Sequence, residues 1–374
     1  MSADSERQNI IMISILINNH NYGNYVGEAI DSVLMQDYKE FEIIVVDGAS
    51  TDNSRAVIMD YVNRYPDIIT VVLRNGSGQA AAINAGFLVS KGNIIALLDS
   101  DDAFMPGKLS KIADLHKNNS FVGTMSRRTD GNDHDITSDA PNERQQLLKK
   151  YGFIYTYELT TSCISMTREL ASKILPMPEE GYTTYADAYI KVLAQYYDNI
   201  YFHRQRLSLY RIHEKNAMAT KKDHRKMNNF LKELYERVKN DINQKLCKEE
   251  KPEIPELTNN NYIDAFRQAN KSASLRINGS YAVYGVGLNS YRLLRVLRLF
   301  KVNIPFAIDS NIEKIGTVWE SIPVISPKDA VNRRNEYDLI IVGATFYGEI
   351  SMKLTKLGLK EDDDYVGDFI LNDY

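Results

Sequence analysis

Three carboxylates fall within four positions at Asp99-Ser100-Asp101-Asp102, directly after the apolar run Ile94–Leu98. An unbroken, partly β-branched run predicts a buried strand, so the acids sit at its tip. Carboxylates this close repel and raise one another's pKa. A hard divalent cation removes that cost and takes phosphate oxygens as further ligands. Asp99, Asp101 and Asp102 are therefore a candidate site for Mn²⁺ or Mg²⁺ and a diphosphate; a solvated acidic turn is the alternative.

The elements that must position this tip lie upstream. Residues 10–17 form a continuous apolar run, as expected of a strand buried on both faces, and end at Asn18-Asn19-His20-Asn21-Tyr22-Gly23. Val26, Ala29, Ile30, Val33 and Leu34 then recur at helical spacing. A second strand over 41–46 ends at Asp47-Gly48-Ala49-Ser50-Thr51-Asp52, where Ser50, Thr51 and Asp52 each suit the N-cap of a helix starting near Asn53. A third strand over 68–73 leads to Arg74-Asn75-Gly76-Ser77-Gly78, and a small-residue helix over 79–90 returns the chain to the acidic strand. Four strands alternating with three helices predict a mainly parallel α/β sheet with its ligand crevice beyond the strand carboxyl ends.

Residues 10–110 resemble the nucleotide-sugar half of an inverting family 2 glycosyltransferase of the GT-A fold. Ile13–Tyr25 is similar to the family's opening strand and Pro-x-Tyr-Asn-type turn, Phe41–Asp52 to its acidic second turn, and Leu97–Asp102 to its DxD motif. Gly78–Gly86 resembles the helix before that motif. More thinly, Tyr185–Ile190 resembles the Glu-Asp segment carrying the catalytic base, and Tyr210–Asn216 resembles the closing Arg-x-His loop. Asn18 stands where Pro is usual, Gly48 where a second Asp is usual, and Ala186 where Glu is common.

The resemblance implies a metal-dependent inverting transfer from a nucleotide-sugar donor, a UDP-sugar, to a hydroxyl of a glycan or lipid-linked acceptor. Cell-envelope, capsule or exopolysaccharide synthesis is the implied setting. It places Asp101 on the metal with His213, and Asp99 towards ribose or metal. Asn18, His20, Tyr22, Asp47, Arg74, Ser100 and Arg211 fall on the nucleotide side, with Asp47 accepting from uracil N3–H. Asp187 becomes the catalytic base. Read without the resemblance, Asp187 is an ordinary first-turn helix residue favoured by the dipole, His213 a structural or solvent-exposed loop histidine, and Arg74 a solvated loop arginine.

At 374 residues, two or three domains are expected. Hydrophobic content of 44% and charged content of 25% are those of an ordinary soluble globular chain. A net charge of −4 gives no sign of a nucleic-acid partner. With only Cys163 and Cys247, no disulfide framework is expected, and a reducing compartment is implied. The polar residues 1–9 lack the apolar core of a signal peptide, and no apolar run is long enough to span a membrane. A cytoplasmic protein, or one peripheral at the inner face of the membrane, follows.

Residues 1–218 are expected to form the GT-A domain, 219–277 a helical connector, and 278–374 a smaller Rossmann-like α/β domain. The connector opens with Lys221, Lys222, Arg225 and Lys226, either a solvated face or a contact for anionic lipid. Met227, Phe230, Leu231, Leu234, Tyr235 and Val238 follow at helical spacing, and Pro252 and Pro255 mark a linker. Strands over 281–284, 304–308 and 338–342, with Gly285-Val286-Gly287 and Asp309 after the first two, resemble the opening of a dinucleotide-binding domain. Ser290 takes the third small position. A structural or oligomerising domain without cofactor is the favoured reading, and a homo-oligomer the associated expectation. The competing function is a degenerate transferase scaffold whose C-terminal module binds a nucleotide or uses NAD(P). Residues Met125–Thr161, with Arg127, Arg128, Asp130, Asp133, His134, Asp135, Tyr151, Tyr155 and Tyr157, are expected to meet the acceptor.

Overall fold

Ile13, Ile15 and Ile17 are fully buried, and so is Ser14 between them, so the first strand has apolar neighbours on both faces. The computed structural model describes residues 11–76, 78–131, 141–152, 154, 159–214, 224–256, 258, 278–343, 347–361 and 363–367. The chain divides into two compact units, one of residues 1–136 and 157–220, the other of 137–156 and 221–374.

The first unit is built in the order β1 (Ile13–Asn19), α1 (Val26–Leu34), β2 (Phe41–Gly48), α2 (Ser54–Arg64), β3 (Ile69–Arg74), α3 (Gln79–Val89) and β4 (Ile94–Asp99). β5 (Ala103–Phe104), α4 (Lys108–Leu115) and β6 (Phe121–Arg128) follow. After α5 (Pro141–Tyr151), which belongs to the second unit, come β7 (Ile164–Thr167), α6 (Arg168–Ile174), α7 (Ala186–Tyr197) and β8 (Ile200–Tyr210). The strands make one eight-stranded sheet in the order β3-β2-β1-β4-β7-β6-β8-β5. β1 to β4 are mutually parallel. β7 joins β4 antiparallel and carries the sheet into a mixed half. Val26, Ala29, Ile30 and Val33 of α1 pack with Ile15, Ile43 and Ile94 in one apolar core. The helix periodicity read from the sequence is the face buried there.

α2 differs in one detail from the expectation. Its N-cap by position is Asn53, whose side chain makes no capping bond. Asp52 Oδ1 instead accepts from Ser54 N at 2.9 Å while Oδ2 accepts from Gly23 N at 2.9 Å. The carboxylate thus holds the helix start and the first turn together.

The second unit contains α8 (His224–Lys248) and β9 (Tyr281–Tyr284), β10 (Ala307–Ile308), β11 (Val318–Trp319), β12 (Ile322–Ile325), β13 (Leu339–Val342) and β14 (Tyr365–Val366). They form a six-stranded sheet ordered β11-β12-β10-β9-β13-β14, parallel except for β11. Leu147 and Tyr151 of α5 share an apolar cluster with Tyr281, Val283, Leu297 and Phe300. That burial explains why α5 leaves the segment expected to meet an acceptor. Asp133, His134, Asp135, Tyr155 and Tyr157 lie outside the described residues, as do Lys215, Asn216, Lys221, Lys222 and the side chains of Arg225, Lys226 and Met227. None of the described helices is long and apolar enough to cross a membrane.

Candidate active site

Register brings the first polar turn and the two acidic turns together. β1 lies between β2 and β4, with Asn18 paired to Asp99 on one side and Asn19 to Asp47 on the other. The carboxyl ends of three parallel strands therefore share one rim, where a crevice forms because the helices leave from the strand ends.

Asp99, Asp101 and Asp102 offer carboxylate oxygens all within 4.8 Å of one another. Burial, then the charge of Asp101, raise Asp99 to about 7; Asp187 adds to the rise, and hydrogen bonds from Asn18 and Gln79 oppose it. Burial, then the charges of Asp99 and Asp101, push Asp102 well up. Asp102 is enclosed: Oδ1 accepts from Arg211 N at 3.0 Å and Oδ2 from Ser162 Oγ at 2.6 Å. Ser100 Oγ is buried without a hydrogen-bond partner among the described residues. A cluster of carboxylates that burial penalises for ionising, beside an unsatisfied hydroxyl, fits a hard divalent cation with a polar ligand.

The loop after β8 closes on this tip. His213 Nε2 stands 2.9 Å from Asp101 Oδ2. Its ring stacks on Tyr25 at 5.3 Å between centroids and meets the edge of Tyr22 at 5.7 Å. Arg211 Nε donates to the Asp101 carbonyl at 2.9 Å, and Nη2 reaches Glu28 Oε2 at 2.7 Å. Its guanidinium lies over Tyr25, 5.1 Å from the ring centroid. Tyr22 is raised to about 12, by burial first and then by the charges of Asp101, Asp99 and Asp102. The phenol thus stands beside the acids.

Around the neighbouring turns the side chains are already engaged. Asp47 is fully buried. Its Oδ1 accepts from Asn19 Nδ2 at 2.9 Å, and Oδ2 from Arg55 Nε at 2.8 Å and Ser50 N at 3.2 Å. Burial works against its charge, but the bonds from Ser50, Arg55 and Asn19 hold its carboxyl below the usual range. His20 Nδ1 is 2.7 Å from the Gly48 carbonyl, which fixes the ring to the second turn. Arg74 is partly exposed but engaged: Nη1 donates to the Ala81 carbonyl at 3.0 Å and Nη2 to Glu179 Oε2 at 3.1 Å.

Asp187 sits in the first turn of α7, and its charge reaches Asp99. Lys191, one turn on and almost fully buried, places Nζ 2.7 Å from Asp187 Oδ2 and donates to the Leu159 carbonyl at 3.1 Å.

Several supporting residues escaped the sequence reading. Ser162 Oγ, besides serving Asp102, accepts from Asp99 N at 3.1 Å. Below it, the buried Lys108 donates to the Ser162 carbonyl and to Ser208 Oγ, each at 2.6 Å. Burial lowers Lys108 to about 8. Nothing in the local pattern marks these residues, because antiparallel pairing of β7 with β4 brings them in from more than 50 positions away.

An α/β unit with an acidic strand tip, a histidine-bearing loop over it and a carboxylate on a facing helix defines a nucleotide-sugar-dependent transferase of the GT-A type. Residues 14–175 match the family described as glycosyl transferase family 2, so the chain carries a glycosyltransferase domain of that family. Residues 278–363 match a second family, C2185-like, N-terminal. An uncharacterized glycosyltransferase of Nostoc sp. is 34% identical over 212 residues, which cover 54% of this chain and 66% of the relative. The Escherichia coli UDP-Glc:alpha-D-GlcNAc-diphosphoundecaprenol beta-1,3-glucosyltransferase WfaP is 35% identical over 101 residues, 26% of this chain and 39% of its own. The crystal structure of S. aureus TarS 1-349 in complex with UDP-GlcNAc superposes with a TM-score of 0.47 at 16% identity, covering 70% of this chain and 73% of that one. The chain thus spans about two thirds or less of the length of these two curated relatives.

Proposed function

We propose that the chain is a metal-dependent, inverting glycosyltransferase that moves a sugar from a UDP-sugar to a hydroxyl of a glycan or lipid-linked acceptor in cell-envelope polysaccharide synthesis. The observation that carries this is the carboxylate cluster of Asp99, Asp101 and Asp102, with its raised Asp99 and with His213 on Asp101. WfaP, a relative over 101 residues, is named for a UDP-glucose donor and a diphosphoundecaprenol-linked acceptor.

In this reading Asp101 and His213 hold Mn²⁺ or Mg²⁺, with Asp99 shared between metal and ribose. Imidazole favours Mn²⁺. When bound, the cation supplies a Lewis acid for charge growing on the leaving diphosphate. Ser100 donates its unpaired hydroxyl to a phosphate oxygen, and Arg211 adds positive charge from the loop. Asn18 orients Asp99. Tyr22 and His20 border the base and ribose, Arg74 supports the neighbouring turn, and Asp47 accepts uracil N3–H by giving up one of its present donors. Asp187 takes the proton of the attacking hydroxyl from the face opposite the diphosphate, a task worth about 10²–10⁴ in rate.

Residues 1–218 then carry the reaction, 219–277 connect, and 278–374 form a Rossmann-like domain that assembles or stabilises without a cofactor. Asp309 favours this silent role: it accepts from Val286 N at 3.2 Å and Asn311 N at 2.8 Å, so its carboxylate serves the glycine loop itself. The protein would work in the cytoplasm, against the inner face of the membrane where a lipid-linked acceptor is presented. Calorimetry with UDP, GDP, NAD(H) and NADP(H), each with and without Mn²⁺, tests this reading. UDP binding that requires the cation is expected. NAD(P)(H) binding without metal-dependent UDP binding would favour the scaffold alternative.

A further inference from the structure

Gln79 opens α3 directly after Gly78, whose φ of 138° only glycine adopts readily. Its side-chain amide touches three elements at once. Oε1 accepts from Ala186 N at 2.9 Å. Nε2 donates to Thr161 Oγ1 at 2.8 Å and to Asp99 Oδ1 at 3.2 Å. The assignment of oxygen and nitrogen follows from the partners, since a backbone N–H can only donate and a carboxylate prefers to accept. Both amide hydrogens are therefore used.

Ala186 is the first residue of α7, and Asp187 is the next. A helix start leaves orphan N–H groups that a preceding side chain usually satisfies. Tyr185, at the N-cap of α7, makes no side-chain capping bond and is held at a φ of 61°. Gln79 caps this helix from a distance instead. The backbone adds two more ties: Gln79 N donates to the Thr183 carbonyl at 3.0 Å and Ala80 N to the Tyr182 carbonyl at 3.1 Å.

We propose that Gln79 is a positioning residue that fixes the separation between the acidic tip of β4 and the carboxylate of Asp187. The inference rests on the catalytic reading of Asp187 given above. Inverting displacement needs the proton acceptor and the leaving group on opposite faces of one sugar ring, and small misplacements in such geometry are costly. One amide that holds Asp99 with its nitrogen and the start of α7 with its oxygen sets that distance.

Two measurements on the full chain test it. Hydrogen exchange at the Ala186 amide is independent of activity, and in Gln79→Ala it should accelerate by about tenfold or more. UDP release from a panel of UDP-sugars with Mn²⁺, water serving as acceptor, should fall about tenfold in kcat while affinity for UDP and Mn²⁺ changes by less than about threefold. The loss should vanish in an Asp187→Asn background, where no base remains to be positioned. Gln79→Glu keeps an acceptor for Ala186 but places a like charge on Asp99. Its exchange should stay slow while turnover falls, which separates mispositioning from misfolding. Unchanged exchange in Gln79→Ala, or kcat losses that multiply with Asp187→Asn, would overturn the proposal. Normal turnover by Asp187→Asn would instead remove the catalytic reading and the positioning role with it.

Discussion

Lys191 Nζ and Asp187 Oδ2 are 2.7 Å apart, one helical turn from each other on α7, and both are largely withdrawn from solvent. The charge of Asp187 in turn adds to the rise of Asp99. A proton taken up by Asp187 would leave Lys191 facing a neutral partner.

Asp187→Asn keeps the shape and removes the proton acceptor. Its kcat should fall by about 10²-fold or more with donor affinity nearly unchanged. Calorimetry with UDP and Mn²⁺ beside turnover with acceptor decides this, and retention of anomeric configuration in the product would sink the assignment. Lys191→Met removes the partner that holds the Asp187 carboxylate and should lower kcat by about tenfold with UDP affinity nearly unchanged.

Asp101→Ala should abolish the rise in Tm that Mn²⁺ gives the wild type, while the Tm in chelator stays within a few degrees. His213→Ala should weaken the metal by about 10-fold or more, at least the loss that removal of a group supporting a ligand brings. Full turnover by Asp101→Ala, or by the wild type in excess chelator, would refute metal dependence.

The metal effect should depend on pH. Asp99 titrates at about 7 in the folded chain, against about 3.9 when unfolded. A raised carboxyl pKa stabilises the fold below the unfolded value, and that contribution is lost as pH rises through the folded one. A cation replaces the lost proton. Mn²⁺ should therefore raise Tm more at about pH 7.5 than at about pH 5.5, and Asp99→Asn should flatten the difference. A Mn²⁺ shift that shrinks on raising the pH would contradict this.

In the second unit, two glycines should respond differently. A Cβ on Gly343 would meet Ser290 Oγ at 2.8 Å and Ser290 Cα at 2.9 Å, where Ser290 is buried and donates to the Gly343 carbonyl. Gly343→Ala should cost about 1–3 kcal/mol by overpacking. A Cβ on Gly287 meets no described atom within 4 Å, so Gly287→Ala should be nearly neutral in denaturant titration. Equal losses at both sites would deny that the third small position serves packing.

The parallel half of the first unit was legible because strands buried on both faces read as continuous apolar runs, as in Ile43–Val46 and Ile94–Leu98. The acidic turns were legible because they end those runs. In the mixed half β5, with two residues, and β7, with four, were too short for any periodicity. Gln79, Ser162, Lys108 and Lys191 were missed for one reason. Each looks like an ordinary polar residue of its own segment and acquires its role from a partner brought in by sheet pairing or helix packing. α5 was misplaced because Leu147 finds its apolar neighbours far along the chain.

The pairing of Asn18 with Asp99 and of Asn19 with Asp47 makes β1 a ruler for the whole rim. Neighbouring residues of a strand face opposite sides, so a slip of one position breaks both asparagine pairings and moves every buried isoleucine to the other face of the sheet. Insertions between α1 and β2 leave that ruler untouched, whereas a single deletion inside residues 13–17 would misalign both ends of the donor site together. Drift in chain length is thus open to the loops of this fold and closed to its first strand.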